Sequence, residues 1–127
     1  MTKVTAKVVY DIPDSDIEVL LEMAGYGIAY WAESLQYGDG EAVIVEIERH
    51  DDGSAEVHHV TYASLATVLV WIATEEYPSA YQRYAANYLR DLNDPHKGTS
   101  EYAAGEIDSD IADHVVQYAI FGKLIYG

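Results

Sequence analysis

The chain contains no cysteine among its 127 residues, which excludes disulfides and thiolate metal sites. Basic residues are scarce: seven Lys and Arg stand against 22 Asp and Glu, a formal net charge of −15. A surface of that sign repels nucleic acid and anionic membranes at long range. Long apolar runs are missing too, and the longest, Val68 to Ala73, is far too short to cross a bilayer. No basic-then-apolar leader opens the sequence, so no signal peptide is expected. There is no Gly-x-Ser-x-Gly segment, phosphate-binding glycine loop, His-Glu-x-x-His pair or EF-hand loop. The expectation left by these exclusions is one cytoplasmic domain over residues 1–127, with no cofactor, no nucleic-acid partner and no membrane partner.

What is present is an ordinary apolar share, 50% of residues, which supports a real core and argues against disorder. Twelve tyrosines accompany a single phenylalanine. Tyrosine offers rigid contact area with a polar tip, so it suits interfaces as well as cores, and a homo-oligomer is one expectation. The acidic excess reads in two ways. It can be a solubilising surface, or it can attract a basic protein whose nucleic-acid groove it would occupy.

Residues 3–10, KVTAKVVY, are β-branched and predict a strand. Asp-Ser-Asp-Ile occurs twice, at 14–17 and at 108–111. Each copy precedes an apolar stripe at helical spacing: Ile17, Leu20, Leu21 and Ala24 in the first, Ile111, Val115, Tyr118 and Ala119 in the second. Acidic and hydroxyl side chains before such a stripe are general helix-starting grammar, so both copies are expected to cap helices through Asp14 or Ser15 and Asp108 or Ser109. Gly25 and Gly27 should end the first helix. A strand over 28–37, a turn at Gly38-Asp39-Gly40, a strand over 42–48, a hairpin turn at Asp51-Asp52-Gly53 and a strand over 55–60 follow. Thr61 should cap a helix with Leu65, Ala66, Leu69 and Ile72 or Ala73 inward. A helix from Ser79 should carry Tyr81, Tyr84, Tyr88 and Leu92. A polar loop over 96–105 and the 109–121 helix complete the chain, with KLIYG as a short terminal strand. The expected fold is α+β, a small antiparallel sheet of three to five strands packed against about four helices, in the order β-α-β-β-β-α-α-α.

Two sets of residues are candidates for chemistry. Asp110, Asp113, His114 and Gln117 fall at i, i+3, i+4, i+7 on the last helix and project together. Asp110 or Asp113 could orient His114 as a base, or the set could hold a divalent cation; the bland alternative is a solvated helix face. Tyr26, Tyr30, Trp31 and Glu33 surround a glycine bend. They could stack a planar ligand and read its donors, or they could simply pack a helix–strand junction. His58 and His59 are adjacent on a strand and point to opposite faces, so they do not share a metal. His50 and His96 carry no pattern. No residue is assigned as catalytic or as a metal ligand.

Two stretches, GIAYWAE (Gly27 to Glu33) and the tail DSDIADHVVQYAIFGKLIYG, resemble a group of small uncharacterised proteins encoded by phages and prophages, notably of actinobacteria. In that group a Tyr-Trp-Ala segment follows a glycine pair, and an acidic helix ends with Gln and Phe-Gly. Here Asp110, Asp113, Gln117, Phe121 and Gly122 take those places, while Gly25-Tyr26-Gly27 replaces adjacent glycines. The resemblance implies a phage accessory protein in the host cytoplasm and carries no chemistry with it. The expected function is therefore binding rather than catalysis: countering host defence by occupying a basic host protein. The alternatives are sequestering a nucleotide-like signalling molecule in the aromatic pocket and, third, an enzyme built around His114.

Overall fold

The computed structural model describes residues 2, 10–47, 53–74, 80–92 and 107–127. It is an α+β fold: helix α1 (Asp14–Gly27), strands β1 (Ala32–Gly38), β2 (Glu41–Glu46) and β3 (Val57–Thr61), then helices α2 (Tyr62–Thr74), α3 (Ala80–Leu92) and α4 (Ser109–Phe121). From the first helix onward this is the order expected from the sequence. The strand expected over 3–10, the turn residues Asp51 and Asp52, the helix start at Ser79, the loop over 96–105, His50 and His96 lie outside the described residues, Tyr10 excepted.

The three strands form an antiparallel sheet in the order β1-β2-β3. β1 and β2 are joined by Asp39 and Gly40, whose φ angles of 53° and 83° are both positive. That is the two-residue hairpin turn whose twist matches the strands, and a side chain with a short polar group followed by glycine is what it favours. On β2 the side chains of Ala42, Ile44 and Glu46 are buried while Val43 and Val45 are half-buried on the other face.

The helices close the core over the buried side. Ile17, Leu20, Leu21 and Ala24 of α1 are all but inaccessible, as are Leu65, Leu69 and Ile72 of α2, Ala85, Tyr88 and Leu89 of α3, and Ile111, Ala112, Val115 and Val116 of α4. Thr61 caps α2 by accepting from the Ser64 N–H at 3.1 Å. α4 ends at Gly122, whose φ of 71° is the left-handed cap conformation. Among the described residues no helix is long and apolar enough to cross a membrane.

Three local expectations give way. α1 is capped by Pro13 with no side-chain bond, because the Pro13 carbonyl takes the N–H groups of Asp16 and Ile17 at 3.0 and 3.3 Å. Residues 28–31 do not join the strand: Ile28 donates to Ala24, and both Trp31 and Ala32 donate to Ile28, so helical bonding outlasts the glycines. KLIYG is not a strand; Gln117 binds its backbone instead, as described next.

Candidate functional site

The two candidate sets, about eighty residues apart in sequence, meet at Asp113. This carboxylate is 7% exposed and accepts from the Tyr30 hydroxyl at 2.7 Å, the Trp31 indole N–H at 2.9 Å and the Gln117 amide at 2.8 Å. All three donors are neutral, so the charge is held by oriented dipoles rather than by an opposing ion. The turn that follows α1 places Tyr30 and Trp31; the middle of α4 places Asp113 and Gln117.

Close helix packing makes the meeting possible. Gly27 ends α1 directly against the start of α4, where a Cβ would lie 2.1 Å from the Ser109 carbonyl oxygen. Only a residue without a side chain lets the two backbones approach so nearly. Asp108 fixes that end of α4 by accepting from the Ile111 N–H at 2.9 Å.

Gln117 is fully buried and works in two directions. Its Nε2 donates to Asp113, to the Tyr30 oxygen at 3.3 Å and to the Tyr126 carbonyl at 3.3 Å. Its Oε1 accepts the N–H groups of Ile125 and Tyr126, both at 2.9 Å. The tail after Gly122 is thereby held as if against a strand, by one side-chain amide. The Tyr126 ring stacks on Trp31 with centroids 5.1 Å apart and planes 7° apart. Its hydroxyl donates to Glu46, which His58 also contacts at 2.9 Å. The network thus runs from α1 through α4 and the tail to the sheet.

Above Asp113 lies an open cleft of about 620 Å³, lined by Tyr26, Gly27, Tyr30, Ser109, Asp110, Asp113, His114 and residues 124–127. Of the residues the sequence nominated, Tyr26, Tyr30, Asp110, Asp113 and His114 line it. Trp31 and Gln117 are enclosed beneath it and serve the network. Glu33 is exposed on β1 and is not part of the cleft wall; Asp113 supplies the carboxylate beside the aromatics instead. The Asp110–Gln117 stripe is accordingly not a solvated face: Asp110 is exposed, but Asp113 and Gln117 are interior. Asp113 is occupied by Tyr30, Trp31 and Gln117 rather than orienting His114 as a base. Among the described residues no group of three or more His, Asp or Glu side chains is placed to hold a metal ion.

The field in the cleft is negative. Burial, then the hydrogen bond to Asp113 and the charges of Asp113 and Asp110, push the Tyr30 hydroxyl up to about 12. The sequence reading missed Tyr126, Glu46 and the Asp16–Tyr88 pair, in which the tyrosine hydroxyl donates to a buried carboxylate at 2.6 Å. The signal for Asp16 in the sequence is its place one turn before Leu20 on the inward side of α1. Comparison of the chain with protein-family models, with curated proteins and with solved structures returns no match.

Proposed function

We propose that this chain is a non-enzymatic accessory protein of phage origin that acts by binding, occupying a basic host protein through an acidic face and so countering host defence. The phage origin and the defence role rest on the resemblance of GIAYWAE and the tail. The binding mode rests on one observation: residues 10–47 carry nine carboxylates, all but Asp16 and Glu46 outside the core, and no Lys or Arg. Asp14, Glu18 and Glu22 follow at intervals of four along one side of α1, about 6 Å apart along its axis. Tyr62 ties this row to the acidic hairpin turn at Asp39. Its hydroxyl donates to Glu18 at 2.9 Å and its N–H donates to the Gly40 carbonyl at 3.0 Å. Tyr62 thus links the α1 row to the hairpin turn, and acidic groups gathered in this way favour electrostatic recognition of a basic groove.

The test is competition. Purified chain is titrated into complexes of duplex DNA with each of several basic DNA-binding proteins of the host. Displacement of DNA that weakens steeply with added salt, and that is lost when Asp14, Glu22 and Asp39 are changed to their amides, supports the reading. Displacement indifferent to salt or to those changes, or none across the panel, removes it. The nucleotide-like alternative meets a cleft whose charged lining is Asp110 and Asp113, which opposes a phosphate.

A further inference from the structure

The cleft above Asp113 has a chemistry of its own. Its volume of about 620 Å³ is that of a small-molecule site. Its lining combines two carboxylates, Asp110 and Asp113, with three tyrosines, Tyr26, Tyr30 and Tyr126, and among the described residues no Lys or Arg lines it. Tyr26 is 74% exposed and Tyr30 50%, although each presents a large ring at the same opening. At the floor, Asp113 is buried with only neutral donors around it. A buried carboxylate without a cation is held at a cost that an approaching positive charge reduces. The α4 N-terminus, which also borders the cleft, would by itself favour an anion with about half a charge. Asp108 and Asp110 outweigh it, since each carries a whole one and both sit at that helix end.

From this we infer that the cleft binds a flexible aliphatic cation bearing ammonium groups. Asp110 and Asp113, one turn apart on α4, accept two ammonium groups or one that moves between them. Tyr26 and Tyr30 offer ring faces to the charge. The exposed side chains of Leu124 and Ile125 cover the methylenes between ammonium groups. A free polyamine and a lysine side chain of a protein share this chemistry. The site is separate from the α1 carboxylate row and does not depend on it.

The experiment is calorimetric titration with spermidine, Nα-acetyl-lysine methylamide and magnesium chloride as separate probes. Spermidine is expected to bind once per chain. Asp110→Asn and Tyr26→Ala, both exposed and so compatible with an unchanged melting temperature, should each weaken it about fivefold. Asp14→Asn with Glu22→Gln should leave it unchanged. Tight spermidine with no lysine derivative binding identifies a free polyamine; equal affinity identifies a lysine side chain. The inference is overturned if Asp110→Asn and Tyr26→Ala bind spermidine as the parent does. Equal loss in the α1 variant overturns it too, as does magnesium competing as an equal, because each shows only diffuse attraction to an acidic surface. Failure here leaves the DNA-displacement result untouched, and the reverse holds as well.

Discussion

Gly27 lies so close to Ser109 that a methyl group on it would sit 2.1 Å from the Ser109 carbonyl oxygen. The clash is with backbone, which cannot swing aside as a long side chain can. Gly27→Ala should therefore separate α1 from α4 and cost about 1–3 kcal/mol or more. Gly25, two residues earlier in the same helix, has nothing within 4 Å of the corresponding position. Gly25→Ala should instead stabilise by roughly 0.5–1 kcal/mol, because alanine loses less backbone entropy in a helix. Urea midpoints of the two variants should move in opposite directions. A shared sign would show that helix propensity, not the approach to Ser109, governs this end of α1.

That contrast also shows what the sequence could and could not carry. The apolar stripes of α1, α2 and α4, the Asp39-Gly40 turn and the Thr61 cap are local patterns, and the structure has them where the sequence puts them. The 28–31 segment looked extended because alternation in Ile28, Tyr30 and Ala32 satisfies a strand as well as a helix end. Its hydrogen bonds to Ala24 and Ile28 decided otherwise. The site was half legible. Tyr30 and Asp113 were both nominated, but no short-range rule says that residues 83 apart share a hydrogen bond. Gln117 stands on the polar side of α4 in the sequence, whereas its partners are Asp113, Tyr30 and the backbone of the tail.

Trp31 should behave as a structural residue. It is fully buried, stacked on Tyr126 and bonded to Asp113. Trp31→Ala should cost about 3–5 kcal/mol. Trp31→Phe keeps most of the ring and removes the N–H, leaving Asp113 one donor short, at about 1–3 kcal/mol. Paired denaturation curves check both. If the phenylalanine variant were as stable as the parent, the indole bond to Asp113 would contribute nothing.

The tail should come away when Gln117 is changed. Gln117→Leu removes the acceptor for Ile125 and Tyr126 and a donor to Asp113 together. Tyr126 should then lift from Trp31, and tryptophan emission should shift to the red. Lys123 is exposed at the base of the tail, so trypsin should release residues 124–127 faster from the variant than from the parent. An unchanged cleavage rate would mean that the tail is held without Gln117, by contacts such as the Tyr126 ring on Trp31 and its hydroxyl on Glu46.

Alkali should unfold the protein earlier than its lysine content suggests. Tyr30 and Tyr62 are each lifted from 10.0 to about 12, chiefly by burial and then by their bonds to Asp113 and Glu18. Tyr88 is raised further by burial and Asp16. A raised value means that the folded chain keeps a proton the unfolded chain releases. The associated stability is whole below about pH 10 and is lost as pH climbs through about 12. Tyr30 is half-exposed, so solvent screening makes its share the smaller one. Urea midpoints measured across that window should fall less steeply for Tyr62→Phe than for the parent. Parallel curves would remove Tyr62 from the alkaline response.

The two Asp-Ser-Asp-Ile copies should respond differently to the same substitutions. In the second, Asp108 accepts from the Ile111 N–H, so Asp108→Ala should cost about 1 kcal/mol. In the first, the equivalent Asp14 is exposed and makes no cap bond, because Pro13 already serves the backbone there. Asp14→Ala should lose only the favourable charge at the helix start, about 0.3–1 kcal/mol, and that loss should shrink with added salt. The third letter reverses the order. Asp16 is 1% exposed and accepts from Tyr88 at 2.6 Å, whereas Asp110 is exposed beside the cleft. Asp16→Ala leaves a buried hydroxyl short of its acceptor and opens a void between α1 and α3, so it should cost at least about 2–3 kcal/mol. Asp110→Ala should stay within about 0.5 kcal/mol of the parent. Four denaturation curves decide it. Matching losses at 14 and 108, or at 16 and 110, would mean that the repeated letters play the same part twice, contrary to the different partners each copy has in the fold.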